Sequence, residues 1–284
     1  MRNLRYVVCD VFTDQPLTGN QLAVFTDARG LSAELMQALA REMCFSESVF
    51  VFPAENGGHA KLRIFTPKLE IPFAGHPTLG SAFVIGGGVQ LSELRLETGA
   101  GIVPVQLERE GPRVSFGWMA QPLPSFEPFE AVSELCAALG VERSELPVEV
   151  YDNGIRHTFV ALASREAVSK LEPDLARLQK LTTLGVSAFA GSGSDFKTRM
   201  FAPAAGVAED PATGSAAGPL ALHLVRHGRL EYGQTIRIEQ GAELARPSLL
   251  YARVLGSAGQ LERIEVGGSA VIVARGEFRL ASLT

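Results

Sequence analysis

"FTPKLEIPFAGHPTLGSA" (residues 65–82) returns in altered form as "FAPAAGVAEDPATGSAAG" (residues 201–218). In both, an apolar run of strand character meets a small-residue turn, "AGHP" (74–77) or "TGSA" (213–216), that opens a helical stretch. Matching "RIFTP" (63–67) to "RMFAP" (199–203) gives an offset of 136. Matching Glu70, Pro72 and Gly75 to Glu209, Pro211 and Gly214 gives 139, so three inserted residues separate the two blocks. Internal duplication is the simplest account, and it sets the fold: two halves, each built around one such strand, turn and helix.

Outward from the first turn, "YVVCDVFT" and "LAVF" are β-branched, apolar runs separated by the turn cluster "DQPLTGN", and read as paired strands. In "LSAELMQALAREMC", Leu35, Met36, Leu39, Ala40 and Met43 recur at helical spacing with Ser32 in place as N-cap. "SVFVFP" and "AKLRIFTP" flank "AENGGH", a hairpin signal. The proline-rich "QPLPSFEPFE" (121–130) lacks periodicity and reads as a linker, followed by a short helix ending at Gly140. The second half repeats the order, with one helix expected over "SREAVSKLEPDLARLQKL". Aligning "FSES" (45–48) with "VSAF" (186–189) sets Ala188 opposite Glu47.

Composition narrows the function classes. The 284 residues are 46% hydrophobic and 20% charged, with 29 Gly and 16 Pro, as expected of a turn-rich folded chain with room for two cores. A net charge of −5, with both signs interspersed, gives no footprint for nucleic acid or an anionic membrane surface, so a small molecule is the expected partner. Cys9, Cys44 and Cys136 are odd in number and form no CxxC pair, which argues against a disulfide framework and a zinc site and for a reducing compartment. No apolar stretch has membrane-spanning length, and "MRNLRYVVCDVF" reads as a first strand rather than a signal peptide. The expected location is the cytoplasm.

A glycine turn that opens a helix exposes unpaired N–H groups at the positive end of the dipole. Two such turns facing each other would form an anion-binding cleft, although each glycine alone serves equally well in a plain tight turn. Glu47 lies between a helix and the apolar "VFVF", where partial removal from water favours the protonated carboxyl and suits it to proton transfer; a surface glutamate at a strand start is the plainer reading. His76 caps its helix or faces a pocket, and Asp210 faces a pocket or merely precedes Pro211 in a turn. His223 and His227, spaced i, i+4, lack the HExxH glutamate and a visible third ligand, so no metal is assigned. Neither "AGSGSDF" (190–196) nor "GGG" (86–88) fits a nucleotide fingerprint, and Ser192 and Ser194 lack a nucleophile-elbow context.

The paired turns resemble those of the diaminopimelate epimerase and proline racemase fold, whose two catalytic cysteines sit just before the corresponding glycines. Ala74 and Thr213 stand there in this chain, so a two-thiol mechanism is unavailable. Over nearly its whole length the sequence is similar to the phenazine-biosynthesis isomerase family, PhzF. The resemblance is carried by "GNQLAVF", "AREMCFSESVFVF", "RIFTPKLEIPFAGHPTLG", "RMFAPAAGVAEDPATGSAAGPLALHLVRHG" and "RPSLLYA". It implies an α+β fold of two pseudo-symmetric domains, each a mixed, mostly antiparallel sheet wrapped around a central helix, with the active site in the cleft between them. The domains are expected at residues 1–125 and 126–284, with the return of the last strand to the first domain left open.

The resemblance further implies a cofactor-independent isomerase acting on trans-2,3-dihydro-3-hydroxyanthranilate. Glu47 would be the acid/base, and Asn20, Gly75, His76, Asp210, Gly214 and Ser215 would bind substrate. A homodimer is implied as well. An isomerase acting on another small amino or hydroxy acid, or a non-catalytic binding or scaffold protein, are the alternatives.

Overall fold

The computed structural model describes residues 2–280. The first part of the chain forms β1 (Arg2–Val11), β2 (Asn20–Phe25), α1 (Ala33–Met43), β3 (Glu47–Phe52), β4 (Ala60–Phe65), β5 (Glu70–Ile71), α2 (Gly75–Gly86), β6 (Glu93–Thr98), β7 (Gly101–Glu110) and β8 (Arg113–Gln121). Next come β9 (Ser125–Pro128), α3 (Val132–Leu139), β10 (Glu149–Asp152), β11 (Arg156–Ala161), α4 (Arg165–Ser169) and α5 (Leu175–Leu181). The chain then continues through β12 (Gly185–Ser192), β13 (Asp195–Ala202), β14 (Val207–Asp210), α6 (Gly214–Arg226), β15 (Thr235–Gln240), β16 (Ser248–Ser257), β17 (Gln260–Gly268) and β18 (Ala270–Leu280). Two compact units result: one joins the residues up to Ala120 with those from Gly267 onward, and the other is Gln121–Val266.

In the first unit β1 lies antiparallel between β2 and β18, with Arg2 opposite Leu280 and Val11 opposite both Asn20 and Ala270. β2 runs parallel to β3, which pairs antiparallel with β4. β4 in turn pairs antiparallel with β5 and parallel with β6, and β6 pairs antiparallel with β7. The parallel pairs need crossovers; α1 supplies the first and α2 the second.

The second unit repeats each of these pairings. β10 is antiparallel to β9 and β11, β11 is parallel to β12, and β12 is antiparallel to β13. β13 pairs antiparallel with β14 and parallel with β15, and β15 pairs antiparallel with β16. Alternating burial along β16, with Ser248, Leu250, Ala252 and Val254 inward, is the period-two pattern of a sheet covered on one face.

The two crossover helices that follow the glycine turns are the centres of their units. α2 is buried at Gly75–Phe83 and again at Gly86, and α6 is buried from Gly214 through Leu224. A helix surrounded by sheet is apolar on every side. Contact is close enough that a Cβ on Gly80 would lie 2.7 Å from both Leu22 and Val11 side chains. α1 instead shows a one-sided face, Met36, Leu39 and Ala40, which packs with stacked Phe25 and Phe50 at 4.6 Å. As expected, Ser32 accepts from the Leu35 N–H and caps it.

Three expectations are corrected. Segment 121–130 is not a bare linker, because Ser125–Pro128 forms β9 against β10. Its residues are exposed, the setting in which a sheet tolerates proline. The single helix expected over 164–181 is broken into α4 and α5, since Pro173 disfavours helix in the residue before it and Asp174 starts a new helix by accepting from the Arg177 N–H. The strand registers also replace Ala188 as the counterpart of Glu47. Phe65 faces Ser48 and its repeat Phe201 faces Val186, so Glu47 corresponds to Gly185.

One ion pair is duplicated with the fold. Arg63 binds Glu70 through Nε and Nη2 at 2.7 and 2.6 Å, and Arg199 binds Glu209 in the same two-pronged way at 2.8 Å each. Each guanidinium also covers a phenylalanine, Phe65 at 5.3 Å and Phe201 at 5.2 Å. The second pair is buried, with side-chain exposures of 9% and 11%, whereas Glu70 is 40% exposed. Removing one member of a buried pair strands the other charge. Glu209→Gln is therefore expected to cost about 3 kcal/mol in urea denaturation, and Glu70→Gln less than about 1 kcal/mol.

At the far end of α6, Glu149 Oε2 accepts from Arg226 Nη1 at 2.6 Å, Tyr151 Oη at 2.9 Å and His227 Nε2 at 3.0 Å, with His223 Nδ1 at 3.3 Å. Burial pushes Glu149 up, but the bonds from Arg226, His227 and Tyr151 outweigh it and hold the carboxyl at about 2. His223 is fully buried, and burial followed by the nearness of His227 lowers it to about 4 against the pull of Glu149. Unfolding therefore takes up a proton between the ordinary imidazole value of about 6.5 and 4. The stability His223 contributes as a neutral ring is complete above that window and is lost as pH falls through it. Denaturation midpoints measured from pH 7 to pH 4.5 should fall, and His223→Leu should flatten that slope by about one proton.

Candidate functional site

In the first unit the parallel pairing of β2 with β3 brings Asn20 and Glu47, each the first residue of its strand, close to the start of α2. Glu47 follows directly on the end of α1, where Cys44 takes a left-handed conformation (φ 55°) that turns the chain into β3. Glu47 Oε2 lies 3.5 Å from Nε2 of His76, the second residue of α2, and the imidazole is 4% exposed. On the other side of the ring, Nδ1 is 3.3 Å from Asn20 Nδ2, and Asn20 Oδ1 accepts from Ser46 Oγ at 3.0 Å. Burial lowers His76 to about 3, with a backbone hydrogen bond at Gln21 acting in the opposite direction. The ring is therefore neutral at physiological pH, and Glu47 faces an imidazole rather than a cation.

Glu149 and Glu209 are each paired with an arginine. At Glu47 the neighbouring group is the neutral His76 imidazole, and a carboxyl is among the groups that can serve in proton transfer. At the start of α2 no side chain caps the helix, since Ala74 at the N-cap has none to offer. Elsewhere Ser32, Ser164 and Asp174 cap α1, α4 and α5.

In the second unit α6 likewise begins without a side-chain cap, because the Thr213 hydroxyl is engaged elsewhere. Thr213 Oγ1 donates to Asp210 Oδ2 at 2.6 Å and accepts from Gln240 Nε2 at 2.9 Å. Gln240 also donates to the Asp210 carbonyl at 2.7 Å and accepts from the Thr213 N–H at 3.2 Å, so one buried amide fixes the whole "EDPAT" turn. Ser215, second in the helix, has its hydroxyl 3.0 Å from His157 Nε2. Its carbonyl would normally accept from residue 219, but Pro219 has no N–H. Asn153 Nδ2 supplies the missing donor at 2.9 Å, and Gln121 Nε2 donates to the Gly214 carbonyl at 2.8 Å.

The residues expected from the sequence thus fall into two groups, Asn20, Glu47, Gly75 and His76 in one unit and Asp210, Gly214 and Ser215 in the other. Sequence reasoning missed Ser46, Gln121, Asn153, His157 and Gln240. His157 carried a signal in hindsight: strand register makes it the repeat of Leu22, a polar residue where the first half has a core leucine. Among the described residues, Glu149, His223 and His227 could group around a metal, with Glu149 as the third ligand that the sequence did not reveal. The Arg226 guanidinium already donates to Glu149 Oε2, the oxygen that lies closest to both histidines.

Among the described residues, no helix is long and apolar enough to cross a membrane. Residues 9–276 match the family model PhzC-PhzF, phenazine biosynthesis-like protein. The chain is 50% identical over 276 residues to the trans-2,3-dihydro-3-hydroxyanthranilate isomerase of Pseudomonas aeruginosa, covering 97% of this chain and 99% of that one. Among solved structures, the Bacillus anthracis phenazine biosynthesis protein of the PhzF family superposes with a TM-score of 0.87 at 25% identity, over 99% of this chain and 100% of that one. A hydroxyproline epimerase from Agrobacterium vitis, at 14% identity and a TM-score of 0.66 over 100% of this chain and 93% of that one, shares the fold. With the α+β architecture, the duplicated registers and these matches together, the chain belongs to the PhzC-PhzF family of phenazine biosynthesis-like proteins.

Proposed function

We propose that this protein isomerises trans-2,3-dihydro-3-hydroxyanthranilate to its ketone isomer, with Glu47 as the acid/base. The observation that carries the reading is the Glu47 carboxyl set 3.5 Å from a buried, neutral His76 at an uncapped helix start. The half-identical Pseudomonas aeruginosa relative bears the name of that activity. In this reading Glu47 removes the proton at C3 of the ring and returns one at C1, and the resulting enol relaxes to the ketone. The shift is redox-neutral and its proton is conserved, so one carboxyl suffices if both carbons present the same face.

Asn20, Gly75 and His76 in the first unit, and Asp210, Gly214 and Ser215 in the second, bind the substrate. Backbone N–H groups at a helix start suit its carboxylate, while Asp210 and His76 suit its amino and hydroxyl groups. The same reading makes the protein a cytoplasmic homodimer.

Glu47→Gln keeps the shape of the side chain and removes its proton chemistry. Turnover of trans-2,3-dihydro-3-hydroxyanthranilate, followed optically, should fall by about 10³-fold or more with circular dichroism unchanged; retained turnover would remove Glu47 from its role, and a folded wild type with no turnover would remove the substrate. Because His76 stays neutral down to about 3, His76→Gln should lower kcat/KM by about tenfold to hundredfold while leaving the shape of its profile between pH 5 and 8 unchanged.

A further inference from the structure

Strand register makes Gly185 the repeat of Glu47, and the offset of the glycine turns makes Ser215 the repeat of His76. The space left by the missing side chain at Gly185 is not empty. A Cβ there would lie 2.5 Å from Nδ1 of His157, whose imidazole comes from the neighbouring strand β11 and fills the place. From that seat its Nε2 reaches the Ser215 hydroxyl at 3.0 Å. The ring is 2% exposed, and Nδ1 has no hydrogen-bond partner among the described residues.

Those contacts fix the direction of the bond. A neutral imidazole carries one N–H and one bare nitrogen, and a buried N–H without an acceptor is rarer and costlier than an unused acceptor. The proton therefore belongs on Nε2, which donates to Ser215 Oγ, and Nδ1 is the bare nitrogen. With one lone pair of Oγ occupied by this bond, the serine's own hydrogen is turned away from the histidine and is left to donate to a ligand. Burial, opposed by Asp152, lowers His157 to about 4, so the ring stays neutral at physiological pH. From the other side Asn153 holds the Ser215 carbonyl, so the residue is fixed at both its polar groups.

We infer that His157 is a positioning residue that presents the Ser215 hydroxyl as a hydrogen-bond donor to an acceptor oxygen of the substrate, its carboxylate being the group that fits. The assignment rests on the isomerase reading only for the identity of that substrate.

Side-chain ¹⁵N NMR of the histidines at neutral pH tests the bond without any substrate. His157, assigned with His157→Gln, should be the neutral Nε2–H tautomer, and its Nε2 signal should move in Ser215→Ala. A charged ring or an Nδ1–H tautomer would overturn the inference. In kinetics, His157→Phe should raise KM about tenfold, the worth of one hydrogen bond, with kcat within about twofold. His157→Gln, whose amide N–H can occupy the position of Nε2, should recover most of that loss.

In a Ser215→Ala background His157→Phe should add nothing. Additive losses, or equal loss in the Phe and Gln variants, would show that His157 serves the fold and not the serine. If wild type fails to turn over the substrate, the isomerase reading falls while the NMR result still decides the His157–Ser215 bond.

Discussion

Burying a helix end without side-chain caps is the constraint on which the rest of this structure depends. Helices need their first N–H groups and last carbonyls satisfied, and α2 and α6 begin inside their units, away from the surface where water would do it. In this chain side chains fix the turns and the carbonyls beside them, while neither helix start has a side-chain cap. Gln240 locks Thr213 to Asp210, Gln121 and Asn153 hold carbonyls of the first turn of α6, and Asn20 and Ser46 brace His76. What each start presents is a set of backbone N–H groups without a side-chain cap, at the positive end of the helix dipole.

Duplication supplied the same frame twice, and the two copies were then filled differently. The strand pairings and the arginine–glutamate pairs with their phenylalanines are common to both. At the glycine turns the copies part: a carboxyl faces an imidazole in one, and an imidazole borrowed from the next strand faces a hydroxyl in the other. One frame thus carries two different polar pairs.

Much of this was legible in the sequence because it is local or repeated. The α1 pattern with Ser32, the Gly140 helix end and the two glycine turns each declare themselves within a few residues. The family resemblance ran through long strings, and it brought Glu47 and His76 forward. What stayed hidden is nonlocal. Gln121 and Gly214 are separated by 93 residues, Gln240 and Thr213 by 27, and nothing in the identity of either glutamine announces its partner. Ala188 was mistaken for the counterpart of Glu47 because the repeat carries an insertion, and only the pairing of Phe65 and Phe201 with their neighbouring strands counts the residues correctly. The break between α4 and α5 was written in Pro173 and Asp174, outweighed by an apolar periodicity that continues across it.

Pro219 has a consequence for how the second unit comes together. By taking one N–H out of α6 it leaves the hydrogen-bond ladder of that helix incomplete, and the group that completes it, the Asn153 amide, is 62 residues away along the chain. The first turn of α6 therefore cannot reach its final bonding by local coiling, as most helices do. That bond forms only with the loop between Asn153 and Ser215 closed, so the final bonding of this turn carries the entropy cost of bringing two distant stretches of chain together.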